Sequence, residues 1–255
     1  MTFEASAEIY DRHIGRYVPW LSAELVSVAG IAPGQHVLDV GCGPGGLTAV
    51  LADRVGSTNV AAIDPSDPFV EACRERVLGA DVRQGVAEKL PFGDDSFDAA
   101  LSQLVVNFMS DAEQGLREMA RVTRPQGVVA SCVWDYAEGM EMLRAFWDAA
   151  LQLDPAAPDE GRTMRFCGKG ELGELWERWG LRDVEAGALV VSAEYEDFED
   201  YWSPFPAGIA PSGAYCASLA PDRQDALREA AFRRLGSPAG PFSLTARAWY
   251  ARGVA

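Results

Sequence analysis

The chain has 255 residues, of which 48% are hydrophobic and 24% charged, so it can bury a large core without disulfides or a metal. Its formal net charge of −16 at pH 7 would repel phosphate backbones and anionic bilayers, which disfavours nucleic acids and membranes as partners. No stretch approaches the ~20 apolar residues of a membrane span or the apolar centre of a signal peptide, which favours a cytoplasmic protein.

Hydrophobic periodicity predicts helices within residues 3–30 and then an alternation of strands and helices. The first five predicted strands are 36–40, 59–64, 81–85, 97–103 and 127–134, and the helices between them are 46–55, 67–78 and 111–122. This alternation requires a parallel sheet with helices on both faces. Beyond Trp134 the pattern predicts helices at 138–153, 169–180, 196–203 and 219–235, with two further strands at 182–193 and 241–250.

A glycine cluster joins the first predicted strand to its helix in residues 36–48, HVLDVGCGPGGLT. Gly41 and Gly43 lack a Cβ, so the backbone can take positive φ and a ligand can approach it closely. With Gly46 they also satisfy the G-x-G-x-x-G spacing of dinucleotide sites, and a purely structural turn is a further alternative. Asp39 decides between ligands, because its carboxylate would repel a pyrophosphate but attract the amino group of S-adenosylmethionine (SAM). Asp64, which ends the second predicted strand, is placed to accept hydrogen bonds from both ribose hydroxyls.

Four stretches carry a family resemblance: VLDVGCGPGG, the AID ending at Asp64, AEKLPFGDDSFD and REMARVTRPQG. On these, over about residues 36–135, the chain resembles the class I SAM-dependent methyltransferases, specifically the ubiquinone/menaquinone-biosynthesis methyltransferase-like (type 11) group. The resemblance implies an α/β fold with a Rossmann-like, seven-stranded mixed sheet of order 3-2-1-4-5-7-6, strand 7 antiparallel, helices on both faces and a helical cap. It further implies, in one compact domain, an N-terminal lid (1–30), a SAM-binding core (31–135), and a cap insertion with the last two strands (136–255).

The resemblance also implies which residues bind SAM. They are Tyr10, Arg16, Asp39, Gly41, Gly43, Asp64, Pro65, Val86, Ala87, Glu88 and Gln103. Arg16 would bind the carboxylate of SAM in bidentate fashion, although an ordinary surface helix explains the same segment. Val86 departs from the family pattern, because relatives carry an acid there that accepts from the adenine amine. The missing bond costs about tenfold in affinity at most, and Glu88 is either its substitute or a solvated charge.

Residues 200–215, DYWSPFPAGIAPSGAY, interleave aromatic residues with Pro and Gly, which favours an ordered loop facing a ligand over a helical core. A small, largely apolar acceptor would suit such a cavity. The residues predicted to line it are Tyr17, Asn107, Trp202 and Phe205. His13 is the best-placed general base, needed only if the acceptor must lose a proton.

Cysteine and histidine patterns give no sign of a metal. The five cysteines contain no C-x-x-C pair, which favours reduced thiols, and we interpret Cys42 as a packing residue. The two histidines form no metal-binding pair, so we predict no protein-bound metal.

Three functions are compatible with the sequence. The first is a SAM-dependent methyltransferase that acts on a small, largely apolar metabolite and releases S-adenosylhomocysteine. The second is a regulatory SAM-binding protein with lost or altered catalysis, which Val86 alone supports. The third is a dinucleotide-dependent oxidoreductase, which Asp39 and the LPFGDDSFD turn oppose. The acceptor atom and the oligomeric state are left open.

Overall fold

The computed structural model describes residues 12–208 and 210–255. Seven strands in this part of the chain form one sheet of order β3-β2-β1-β4-β5-β7-β6. The strands are β1 (Val37–Val40), β2 (Val60–Asp64), β3 (Asp81–Gln84), β4 (Phe97–Gln103), β5 (Thr123–Trp134), β6 (Arg182–Tyr195) and β7 (Phe242–Val254). Strands β1 to β5 pair in parallel, and β7 runs antiparallel to β5. The predicted fold class, strand order and direction of strand 7 are confirmed.

The helices largely follow the predicted positions. They are α1 (Val18–Val28), α2 (Gly46–Val55), α3 (Asp67–Arg76), α4 (Ala112–Val122), α5 (Glu141–Leu153), α6 (Glu171–Arg178), α7 (Phe198–Trp202), α8 (Ala210–Ser218) and α9 (Pro221–Arg234). Helices α2, α3 and α4 connect successive parallel strands. No helix in the described ranges combines the length and apolar character needed to cross a bilayer.

The prediction of a loop over 200–215 is wrong, because α8 occupies residues 210–218. Pro211 lies in the first turn of α8, where a missing backbone N–H costs no helical hydrogen bond. A Cβ on Gly213 would lie 2.7 Å from the carbonyl carbon of Gly208, so this glycine lets α8 pack closely against the segment that precedes it. Both residue types were taken as loop signals, whereas here they allow the helix to form.

The chain forms two compact units. The sheet unit comprises Val18–Trp134, Arg165–Leu189 and Ala248–Ala255, and the described part of the helical unit comprises 12–17, Asp135–Met164, 190–208 and 210–247. Strands β6 and β7 contribute residues to both units. In the sheet unit, every residue of β1, β2 and β4 is buried, as expected for parallel strands covered on both faces.

The core of the helical unit is aromatic. The rings of Phe146 and Phe205 stack with centroids 4.4 Å apart, and Trp147 meets Phe146 edge-on at 5.1 Å. The indole N–H of Trp147 donates to the buried carboxyl of Glu160 at 2.9 Å, and burial raises the pKa of Glu160 to about 7. Large rings thus fill this unit, and the Glu160 carboxyl buried among them is paired with Trp147.

Candidate functional site

The strand order of the sheet reverses between β1 and β4, and the carboxyl ends of these two strands lie on either side of that point. From β1, the chain continues to β2 and β3 on one side, whereas β4 and β5 lie on the other side. In open α/β sheets, ligands bind outside the carboxyl ends of the strands at such a switch point. The segments after Val40, Asp64, Gln84 and Gln103 therefore define the candidate site of the sheet unit.

The glycine turn after β1 is packed between β2 and the segment after β4. Gly41 and Gly43 have φ of 79° and 52°, as their predicted role in a tight turn requires. The backbone N–H groups of Gly41 and Cys42 both donate to the carbonyl of Ile63, at 2.7 and 3.0 Å. A Cβ on Gly41 would lie 2.5 Å from Cγ2 of Val105. The turn is therefore fixed on both sides before any ligand binds.

Asp64 holds the turn through its carboxylate. Its Oδ2 accepts the N–H of Gly43 and its Oδ1 accepts the N–H of Ser66, both at 2.9 Å. The side chain is nearly buried, and desolvation raises its pKa. Each carboxylate oxygen has a further lone pair, so two ribose hydroxyls can still donate to it. The following residue, Pro65, accepts the amide N–H of Gln84 at its carbonyl, at 3.2 Å.

Asp39 and Gln103 present two buried acceptors on the same face of the sheet. Asp39 Oδ2 accepts the hydroxyl of Thr48 at 2.7 Å, but its Oδ1 has no partner among the described residues, and neither has Oε1 of Gln103. Asp39 pairs in register with Leu101, and Gln103 lies two residues further along β4, hence on the same face. Buried polar atoms almost always have partners, so this pair calls for a donor from beyond the described residues.

Burial raises the pKa of Asp39 from 3.8 to about 8, and the Thr48 hydrogen bond opposes this shift. Between about pH 4 and pH 8, Asp39 thus holds a proton in the folded state that it has lost in the unfolded chain, so its contribution to stability falls as the pH rises through this range. Asp39→Asn keeps an oxygen for Thr48 and cannot ionise. We expect the free energy of unfolding of this variant, minus that of the wild type, to increase from pH 5 to pH 8 in urea titrations. If the difference in free energy of unfolding between the two proteins does not change with pH, the raised pKa of Asp39 is wrong.

The segment after β3 carries the residues predicted to bracket adenine. Val86 is 46% exposed, and Ala87 is buried. Glu88 accepts the N–H of Asp111 at Oε1, at 3.1 Å, and its carbonyl accepts the amide of Gln114 at 3.4 Å. The Glu88 carboxylate therefore has a hydrogen-bond partner just before α4, so it is not a purely solvated charge.

Three further residues shape the site, and sequence reasoning missed them. Thr48, in the first turn of α2, orients Asp39, and Val105 packs against the glycine turn. Leu104 has φ of 63°, a conformation that costs a non-glycine residue about 1–3 kcal/mol and that clusters at functional sites. The predicted lining residue Asn107 is buried in the short helical turn that follows. Only the position of Thr48, nine residues after Asp39 at a helix start, gave a signal.

The residues predicted to bind the SAM carboxylate, to line the rest of the acceptor cavity and to act as general base lie in the helical unit, as far as the structure describes them. Arg16 makes a bidentate ion pair with Asp200, at 2.9 and 3.0 Å, and its guanidinium lies 4.1 Å above the ring of Tyr195. The hydroxyl of Tyr17 is 3.1 Å from that of Tyr195. The guanidinium that was predicted to bind the SAM carboxylate thus has a protein carboxylate as its partner in this structure.

His13 lies in the aromatic core. Its ring meets Phe205 edge-on at 4.9 Å, and burial, assisted by the nearby charge of Arg16, lowers its pKa to about 3. Trp202 and Phe205, both predicted to line the acceptor cavity, are buried among the same rings. Tyr10 lies outside the described residues. Within the described ranges, no group of three or more His, Cys, Asp or Glu is arranged to hold a metal ion.

Comparison with known proteins matches the chain to methyltransferases. The family described as "Methyltransferase domain" matches residues 38–131. A malonyl-[acyl-carrier protein] O-methyltransferase from Dechloromonas aromatica is 32% identical over 78% of this chain and 71% of its own length. A demethylmenaquinone methyltransferase from Desulfitobacterium hafniense is 35% identical over 39% of this chain and 42% of its own length. Across such relatives, the chain spans 42% to 71% of their length.

Among solved structures, phosphoethanolamine N-methyltransferase 2 from Haemonchus contortus, in complex with phosphomonomethylethanolamine and S-adenosylhomocysteine, shares the fold. Its TM-score is 0.55 at 18% identity, over 92% of this chain and 52% of that one. The strand order, the glycine turn, the acids at the ends of β1 and β2 and the long alignment with a curated relative lead to one assignment: the chain belongs to the class I SAM-dependent methyltransferases.

Proposed function

We propose that this chain binds SAM at the carboxyl ends of β1, β2 and β4 and transfers its methyl group to a small, largely apolar metabolite. The observation that carries the proposal is a pair of buried acceptors, Asp39 Oδ1 and Gln103 Oε1, that have no partner in the part of the chain that the structure describes. An ammonium group supplies three donors and a positive charge, which is what two such acceptors need. The amino-acid portion of SAM carries that group, so the residues present fit the cofactor.

The proposed contacts position the cofactor. Asp64 receives the ribose hydroxyls, and Asp39 and Gln103 receive the amino group. Gly41 lets the turn pack closely on Val105, whereas Gly43, where a Cβ would have no atom within 4 Å, leaves room for the ligand beside the backbone. The methyl group on the sulfonium of bound SAM is an electrophile for in-line displacement. Correct placement of the two reactants can supply roughly 7–11 kcal/mol of the barrier. Tyr10, Arg16, Tyr17, Trp202 and Phe205 stay predictions for the remaining contacts.

A general base is not part of the proposal. With a pKa of about 3, buried His13 is a weak proton acceptor at neutral pH, far from the matched value that general-base catalysis favours. The prediction that His13 acts as the base therefore finds no support in its surroundings. An acceptor that is already nucleophilic needs no such group.

The proposed acceptor class rests on charge and on one relative. A net charge of −16 disfavours anionic acceptors and nucleic acids, and the demethylmenaquinone methyltransferase is named for a quinone substrate. The malonyl-[acyl-carrier protein] O-methyltransferases point instead to a carrier-bound acid.

The test uses SAM labelled in its methyl group, incubated with a panel of phenols, quinols and aromatic amines, and with a malonyl thioester. Transfer of label to an apolar member, lost in Asp64→Ala, would support the proposal. Transfer of label to the malonyl thioester alone would mean that the acceptor is a thioester of this kind and not a small, largely apolar metabolite. Binding of SAM by calorimetry without transfer to any acceptor would favour the regulatory alternative.

Restoring an acid at position 86 should tighten SAM binding. Val86 is exposed, so Val86→Asp should be tolerated by the fold, and its carboxylate can accept from the adenine amine. We expect SAM to bind up to about tenfold more tightly, since a new hydrogen bond of this kind contributes roughly 0.5–1.5 kcal/mol. Val86→Asn is the matched control for shape. Equal SAM affinities for wild type and Val86→Asp would contradict the prediction that adenine binds beside this segment.

A further inference from the structure

The carboxyl edge of the sheet gives SAM a direction in the proposed binding mode. Strands follow one another along this edge in the order β4-β1-β2-β3, and neighbouring strands lie about 4.8 Å apart. The amino group is placed at Gln103 and Asp39, on β4 and β1, and the ribose at Asp64, on β2. In SAM, the sulfonium arm and the base are attached at opposite ends of the ribose. The base therefore lies beyond Asp64, beside the segment that follows β3.

The segment after β3 is fixed next to Asp64. Asp64 pairs in register with Gln84, the last residue of β3, and its carbonyl accepts the N–H of Gly85 at 3.0 Å. Val86 then forms an antiparallel bridge with Lys89, whose N–H donates to the Val86 carbonyl at 3.2 Å. The side chain of Val86 is 46% exposed on this turn. Because Gly85 has no side chain, Val86 is the first side chain beyond β3 that a base placed there meets.

The polar side chains on either side of Val86 are engaged with other segments. The amide of Gln84 donates to the carbonyl of Pro65 at 3.2 Å. Oε1 of Glu88 accepts the N–H of Asp111 at 3.1 Å. Among the described residues of this turn, the position that faces the base therefore presents an apolar surface that is partly open to solvent.

An apolar, partly open contact does not distinguish what a purine carries at position 6. A site that forms a hydrogen bond there rejects an analogue without the matching group, because its own polar atom is then left unpaired. The side chain of Val86 has no polar atom to leave unpaired. It also lies at the surface, so a larger substituent on the base can extend into solvent.

We propose that the site binds sulfonium nucleosides altered at position 6 of the purine as tightly as SAM itself, and that Val86 is the residue that determines this tolerance. The ligand class comprises SAM analogues with hydrogen or a dialkylamino group in place of the 6-amino group. The inference rests on the proposed function, from which it takes the positions of the amino group and the ribose. It concerns the choice of cofactor and is independent of the acceptor.

The experiment titrates three ligands into the full 255-residue chain by calorimetry. They are SAM, its 6-dimethylamino analogue and its analogue with an unsubstituted purine. We expect the three dissociation constants of the wild type to agree within about threefold. In Val86→Asp, the new carboxylate accepts a hydrogen bond from the amine of SAM alone, so SAM should bind about tenfold more tightly than either analogue.

Leu78→Asp is the matched control for Val86→Asp. It adds the same charge at another exposed apolar residue, which precedes β3 and so lies at the opposite end of that strand. This variant should bind the three ligands as the wild type does. Discrimination among them by Leu78→Asp would mean that added charge, and not a contact at position 86, is the cause.

The remaining outcomes separate this inference from the proposed function. If the wild type binds SAM but loses about tenfold or more in affinity for either analogue, the site senses position 6 and the inference is wrong. If Val86→Asp binds all three ligands equally, Val86 does not face the base and its role is wrong. If SAM itself does not bind, the proposed function fails, and the titration with SAM shows this without either analogue.

Discussion

Replacing Gly41 with alanine should destabilise the sheet unit by about 3 kcal/mol and abolish SAM binding. The new Cβ would lie 2.5 Å from Cγ2 and 2.6 Å from Cγ1 of Val105, a β-branched side chain that cannot swing its end away. Overpacking of this kind costs roughly 1–3 kcal/mol, and a positive φ adds roughly 1–2 kcal/mol for a residue with a Cβ. Urea unfolding gives the loss of stability, and calorimetry gives the affinity for SAM.

Gly34→Ala separates the two causes. Gly34 has φ of 80°, almost the same as the 79° of Gly41, but a Cβ there would have no atom within 4 Å. This control should lose only the backbone contribution, about 1–2 kcal/mol, and should bind SAM as the wild type does. Equal losses of stability in both variants would mean that Val105 does not constrain the glycine turn.

Replacing Asp64 with alanine should weaken SAM binding about 100-fold. Two ribose hydroxyls would lose a carboxylate acceptor, and hydrogen bonds to charged groups contribute roughly 1.5–3 kcal/mol each. The variant also loses the acceptor for the N–H groups of Gly43 and Ser66, so a moderate loss of thermal stability should accompany the loss of affinity. Calorimetric titration with SAM and S-adenosylhomocysteine, at a temperature where both proteins are fully folded, measures the effect.

Asp67→Ala is the matched control for Asp64→Ala. It removes the same charge three residues further along, from an exposed position in the first turn of α3. We expect its affinity for SAM to stay close to that of the wild type. A similar loss in both variants would indicate a general electrostatic effect rather than contacts with ribose, and would contradict the role assigned to Asp64.

The sheet unit could be predicted closely because its information is local. Strand, glycine turn and helix follow one another within 36–55, and parallel strands bring their carboxyl ends to one edge, so Asp39, Asp64 and Gln103 could be grouped from their places in the pattern alone. The family assignment and the strand order are confirmed for the same reason. What the pattern could not show is that Val105 packs on Gly41, since that contact depends on the path of the chain after β4.

The helical unit was less predictable because its contacts are distant in sequence. The partner of Arg16 is Asp200, 184 residues away, and nothing near Arg16 indicates it. Aromatic side chains such as those of Trp202 and Phe205 occur both in ligand cavities and in packed cores, so their presence in the sequence does not distinguish the two. In the structure, both side chains are buried. Pro211 was taken as a loop signal, although proline is compatible with the first turn of a helix.

The acceptors at the ends of β1, β2 and β4 have a consequence for turnover. In the proposed binding mode, Asp39, Gln103 and Asp64 contact the amino group and the ribose, which SAM and S-adenosylhomocysteine have in common. These contacts stabilise both complexes alike, so the product competes for the site as it accumulates. The rate of methylation would then follow the ratio of the two nucleosides rather than the concentration of SAM alone, and a reaction that hydrolyses S-adenosylhomocysteine would act as an accelerator of this enzyme.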